Sequence, residues 1–220
     1  MVRQSNQGFA FSVGGVEGLR ETRALVYRAT PSARATLVLA HGAGASQTHP
    51  FLVDVAGRLA ARGVDVVTFD FLYMRAGRKL PDRPAVLEDT WRAAIAAARA
   101  ELGVGRLAIG GKSMGGRIAS HVAAAGDVAG IDALVFFGYP LHPMGKPKVR
   151  RDAHLPAVRC PMLFVQGTRD ALGDAREIRA LLRRLPSASL HAVEGADHSL
   201  KSRHLDAALA AVAEFLHGLA

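Results

Sequence analysis

Ile109-Gly110-Gly111-Lys112-Ser113-Met114-Gly115-Gly116-Arg117 follows the apolar run from Arg106 to Gly110 and precedes a predicted helix over 118–125. A strand, a sharp turn and a helix around G-x-S-x-G are the context of a nucleophile elbow. The spacing has a steric cause. A serine on so tight a turn points its Oγ outward, and a side chain two residues away on either side would strike neighbouring backbone. Gly111 and Gly115 therefore flank it. With 23 glycines in the chain, the bland alternative is a glycine-rich turn. Its place behind a strand-like run selects the elbow, with Ser113 as the candidate nucleophile.

Outward from that turn, apolar runs and helical stripes alternate. Thr36–Ala40 is a short continuous apolar run, expected as a strand buried on both faces, and Val64–Phe69 is expected beside it. Between them Pro50 takes the first position of a helix capped by Thr48 or His49. Phe51, Val55, Leu59 and Arg62 mark that helix and Gly63 ends it. A loop over 70–83 leads to a helix opened by Pro84, with the stripe Leu87, Trp91, Ile95, Ala98 and Leu102. Further strands are predicted at 131–137, 162–166 and 190–193. Helices are predicted at 175–185 and in a closing segment carrying Leu205, Leu209, Val212 and Leu216. Near the start, Leu19–Tyr27 should pair with Phe9–Val13 as an edge hairpin. This alternation predicts an α/β fold: a doubly wound, mostly parallel sheet with helices on both faces. No repeat or linker interrupts it, so one domain over 1–220 is expected. In such sheets ligands bind beyond the carboxyl ends of the strands, where Ser113 falls.

Composition narrows the classes. Half the residues are apolar and 21% charged, ordinary for a water-soluble globular chain. No apolar run approaches the ~18 residues that span a bilayer, and the first fifteen residues lack the apolar core of a signal peptide. The single Cys160 permits no internal disulfide and suits a reducing cytoplasm. A net charge of +9 would suit an acidic partner or nucleic acid. However, the arginines are scattered and aromatics make up only 6%, which argues against a nucleic-acid surface. H-E-x-x-H, paired cysteines and a GxGxxG with its acidic partner are all missing, so no metal or cofactor is expected.

A serine hydroxyl is a weak nucleophile and needs a base, which in turn needs an orienting acid. In folds built around this elbow, acid and histidine follow the serine in chain order. Asp170 falls just past the strand ending Gln166-Gly167, and His198 falls in the last loop before the closing helix. An aspartate there could instead cap the helix at 175, but Asp174 is the better cap. The remaining histidines, His41 and His49 among them, read as structural or exposed, and His121 as packing in the helix after the elbow. An oxyanion hole needs two backbone N–H groups. Met114 should give one, and the His41-Gly42-Ala43-Gly44 loop the other, from Ala43 or, as the second choice, Gly44.

The order His41-Gly42-x-Gly44, Gly111-x-Ser113-x-Gly115, Gly167-x-x-Asp170 and Asp197-His198 resembles the α/β-hydrolase superfamily over nearly the whole chain. GGKSMGGR at 110–117, FVQGTRD at 164–170, ADHSLK at 196–201 and the loop over 73–84 are similar to a small, capless, dienelactone-hydrolase-like branch. That branch includes testis-expressed protein 30 and a scaffold subunit of a histone-acetyltransferase complex. Dienelactone hydrolases use a cysteine where this chain has Ser113. The resemblance implies an α/β-hydrolase fold without a cap domain, since only Gly138–Pro161 separates the fourth and fifth predicted strands. The resemblance supplies no substrate; without a cap the pocket should be shallow and open, so a serine hydrolase acting on a small ester, thioester or related acyl bond is expected. The scaffold member raises the alternative of a non-catalytic interaction module. The expected partner is a small acyl compound. It would be anionic if Lys146, Lys148, Arg150, Arg151, Arg75, Arg78 and Lys79 rim the pocket, the alternative being a solvated basic surface.

Overall fold

A computed structural model describes residues 7–15, 17–18, 20–30 and 32–219. Its eight strands are β1 (Gly8–Ser12), β2 (Glu21–Tyr27), β3 (Ala35–Ala40), β4 (Val64–Phe69), β5 (Leu107–Lys112), β6 (Ala133–Phe137), β7 (Met162–Gly167) and β8 (Ala188–Val193). The helices are α1 (Pro50–Ala60), α2 (Leu72–Arg75), α3 (Pro84–Leu102), α4 (Met114–Ala125), α5 (Ala175–Leu182) and α6 (Leu205–His217). The strands form one sheet in the order β1-β2-β4-β3-β5-β6-β7-β8. Every neighbour from β4 to β8 runs parallel, while β1–β2 and β2–β4 are antiparallel. The expected hairpin is thus present, although Leu19 lies outside the described residues.

Continuous apolar runs become central strands because both faces are covered. β3, β4 and β7 are buried along their whole length. α1 and α6 cover one face, packing Leu52, Val55, Leu59, Leu209 and Val212 on Leu37, Leu39 and Val66. α3, α4 and α5 cover the other, where Trp91, Ile95, Ile118 and Ile178 meet Val38, Ile109 and Phe136. Trp91 is fully buried and packs edge-on against Phe69 at 4.9 Å between ring centres.

The winding reverses at β3. From it the chain passes through α1 to β4 on one side, then through α3 to β5 on the other. The loops leaving β3 and β5 therefore part in opposite directions and open a crevice at their carboxyl ends. The short helix α2 lies inside the segment read as loop. α5 stops at Leu182, three residues short of the predicted end, and His49 rather than Thr48 caps α1 by accepting from the Phe51 N–H. Asp174 caps α5 in a reciprocal box with Glu177. Between β6 and β7 the described chain holds one 3-10 turn, Leu155–Ala157, and no cap domain. No described helix is long and apolar enough to cross a membrane.

Candidate active site

Ser113 stands between β5 and α4 with φ 51° and ψ −114°, a conformation that non-glycine residues rarely adopt. The flanking glycines are there for space. A Cβ on Gly111 would stand 2.6 Å from the Ala40 carbonyl oxygen, and one on Gly115 would stand 2.6 Å from those of both Ala40 and His41. The turn is braced from outside by Trp91, whose indole N–H donates to the Gly115 carbonyl at 3.2 Å. The Ser113 N–H donates to Phe137 O at 3.0 Å.

Three distant loops meet at that serine. His198 Nε2 lies 2.9 Å from Ser113 Oγ, and its Nδ1 lies 2.7 Å from Asp170 Oδ2. The pattern fits Nδ1–H donating to the carboxylate, leaving Nε2 to accept the serine proton. Asp170 is 3% exposed, and its oxygens also accept from the Leu172 N–H and from Gln166 Nε2. Gln166 itself is fully buried; its Oε1 accepts from the Tyr139 N–H at 2.7 Å and its Nε2 donates to Gly173 O at 2.6 Å.

Of the two expected oxyanion donors, Ala43 lines the cavity beside Ser113 and Met114 is the first residue of α4. Among the described residues neither N–H has a protein acceptor. Gly44, the second choice for the loop donor, is committed elsewhere: its N–H donates to the Tyr73 hydroxyl at 3.3 Å. The loop hangs on His41, which is fully buried. Its Nδ1–H donates to Gly42 O at 2.8 Å, and its Nε2 accepts from the Phe71 N–H at 3.2 Å. Burial pushes this imidazole below its ordinary pKa, so it serves as a neutral strut.

The cavity over Ser113 holds about 300 Å³ and is lined by Ala43, Ala45, His49, Phe51, Leu52, Lys112, His198 and Ser199. None of Lys146, Lys148, Arg150, Arg151, Arg75, Arg78 and Lys79, weighed both as a pocket rim and as a solvated basic surface, is among its lining residues. Arg150 pairs instead with Asp152 and Glu177, and Arg78 with Asp82. Lys112 is the cation that lines the cavity, with its Nζ donating to His198 O at 2.5 Å. Below it Gly138, at φ 68°, leaves room for the neighbouring side chains. His121, read as packing, is half-buried in a polar cluster, its ring 4.0 Å from that of His154. Sequence reasoning missed Lys112, Gln166 and Tyr73. The only signal was their place inside motifs: next to the nucleophile, before Gly167, and in the loop after β4.

Comparison with known proteins agrees with this architecture. The family described as the alpha/beta hydrolase domain matches residues 33–212. Among solved structures, the chain is similar to a lidless α/β serine hydrolase from Xanthomonas campestris, at TM-score 0.75 and 22% identity, over 96% of this chain and 95% of that one. It is also similar to an esterase from Pyrococcus furiosus, at TM-score 0.76 and 16% identity over 96% and 90%. An α/β serine hydrolase homologue from Coxiella burnetii gives TM-score 0.72 and 18% identity over 96% of each chain. At these identities the likeness shows the shared fold.

Proposed function

The chain belongs to the alpha/beta hydrolase domain family, and from that premise we propose that it is a serine hydrolase cleaving a small ester, thioester or related acyl bond. One observation carries the proposal: His198 bridges Ser113 Oγ at 2.9 Å and Asp170 Oδ2 at 2.7 Å. Such a chain of contacts lets the imidazole take the hydroxyl proton as Oγ attacks an acyl carbonyl, while the carboxylate steadies the imidazolium that forms. The Met114 and Ala43 N–H groups receive the developing oxyanion in this scheme, which their freedom from protein acceptors supports. The protonated His198 then hands its proton to the leaving oxygen or sulfur. In the second half, water loses a proton to His198 as it attacks the acyl-serine, and Oγ recovers its proton as the acid departs.

The cavity supports the substrate class. About 300 Å³ walled by Ala43, Ala45, Phe51 and Leu52, with no cap above, suits a short acyl group whose remainder projects into solvent. The test is labelling of the folded protein with a fluorophosphonate, followed by peptide mapping. Ser113 should carry the adduct, and Ser113→Ala should take none. A folded wild-type protein that resists the probe would remove the catalytic proposal and leave the non-catalytic scaffold.

A further inference from the structure

Lys112 has no part in the acyl chemistry above, yet this half-buried side chain sets its ammonium beside the proposed base. Nζ donates to the His198 carbonyl, and the charge sits 5.7 Å from the centre of the Phe51 ring. Burying an ammonium is costly unless something accepts its hydrogen bonds. The loop it grips is strained. Leu200, two residues after His198, has φ 49° and is fully buried. A branched residue stays in that region only where its surroundings over-determine the backbone. Two consecutive residues where β5 gives way to α4 thus hold His198 at both ends, Ser113 at its ring and Lys112 at its carbonyl.

We propose, resting on the serine-hydrolase reading, that Lys112 is a positioning residue that fixes His198 over Ser113, and that its charge state sets an alkaline limit on the activity of the site. Facing the ammonium are Asp170 from the loop after β7, Asp197 and His198 from the loop after β8, the Phe51 ring from α1 and the Gly138 backbone after β6. Burial pulls Lys112 down to about 8, against the opposing pull of Asp170 and Asp197. Below that pH the grip on the carbonyl is charge-assisted and roughly twice as strong as a neutral hydrogen bond. Above it, a neutral amine still donates but holds less firmly, so the rate falls as pH rises through about 8.

The full chain is assayed with p-nitrophenyl acetate from about pH 6 to about pH 10, as wild type, Lys112→Met and Lys112→Gln, with Ser113→Ala giving the background. Lys112→Met should lose roughly 10- to 100-fold in kcat with KM within about threefold, and should lack the alkaline step. Lys112→Gln, which keeps a neutral donor, should fall between the two and also lack the step. A folded Lys112→Met with wild-type kcat and an unchanged alkaline step overturns the proposal. Persistence of the step in Lys112→Gln overturns it equally, and that arm decides if the Met variant does not fold. A wild-type rate no higher than that of Ser113→Ala, with no fluorophosphonate adduct, is a different failure: it removes the hydrolase reading itself and this inference with it.

Discussion

The side-chain amide of Gln166 donates to Asp170 Oδ2 at 2.9 Å, so the carboxylate facing His198 is steered by a buried residue of β7 four positions before it. Gln166 is heavily engaged: its two amide hydrogens are shared among Asp170 Oδ2, Gly173 O and, more distantly, Tyr139 O, while its Oε1 accepts from the Tyr139 N–H. That amide joins the turn after β6 to the loop after β7. Replacing it with leucine strands several buried polar groups, each costing about 1–3 kcal/mol. We expect Gln166→Leu to lose about 3 kcal/mol in urea unfolding and about tenfold or more in kcat. Unchanged stability and rate would show the amide to be idle.

Asp170→Asn should leave the fold standing and depress turnover by roughly 10⁴-fold. With its oxygen held by the Leu172 N–H, the new amide N–H₂ would face both the Gln166 amide and His198 Nδ1–H. Three donors cannot share one place, so the imidazole is driven into the other tautomer and Nε2 carries a hydrogen instead of accepting one. Steady-state kinetics beside a thermal melt decides this. A loss under about tenfold in a folded variant would show that the carboxylate does not orient the histidine.

Gly115→Ala tests the elbow sterically. The added methyl would stand 2.6 Å from two carbonyl oxygens that belong to the end of β3 and its loop. Ala40 closes a fully buried strand and His41 is itself fully buried, so neither carbonyl can move aside cheaply. The expected cost is about 3 kcal/mol or more, seen as a lower denaturation midpoint or loss of soluble protein. A variant with the wild-type midpoint would contradict the packing described.

His154 should weaken the protein in mild acid. Burial first, then the neighbouring His121 and Arg117, pull its pKa from 6.5 to about 4, so the folded state favours the neutral ring. In the unfolded chain the ring binds a proton at its ordinary pKa. Between about 6.5 and 4 the unfolded state therefore holds more protons, and stability falls as pH falls; above that window this ring contributes no slope. Melting temperature followed from neutral pH downward should drop more steeply in wild type than in His154→Gln, whose amide can still meet Ser120 Oγ, now 2.8 Å from Nε2. Parallel curves would show that His154 is not a source of acid sensitivity.

Much of the architecture was legible because its signals are local. A continuous run such as Val64–Phe69 must be buried on both faces, and Pro50 and Pro84 do open helices. The spacing Gly111-x-Ser113-x-Gly115 reflects crowding within one turn, so the chain announces it directly. Chain order likewise brought Asp170 and His198 to Ser113. The contacts that went unread are long-range and use unremarkable residue types: Lys112 reaches a carbonyl 86 positions away, and Gln166 reaches Tyr139 across 27. Side-chain identity does not reveal such partners. Counting positive charges likewise left two readings of the basic residues open, since it does not show the carboxylates that hold them, as Asp152 holds Arg150. α2 was missed because four residues are too few to show a helical period.

Gly138 sets a boundary on how this site can be redesigned. A methyl group there would sit 3.0 Å from Lys112 Nζ and 3.4 Å from both Asp170 Oδ2 and His198 Cε1, on a backbone already at φ 68°. A side chain there would crowd the Lys112 ammonium and sit on a backbone that L residues rarely adopt, so that position resists diversification. Laboratory evolution of this cavity has its freedom on the opposite bank, at Ala43, Ala45, His49 and Ser199. A library spread evenly around the serine would waste the share that touches the turn after β6.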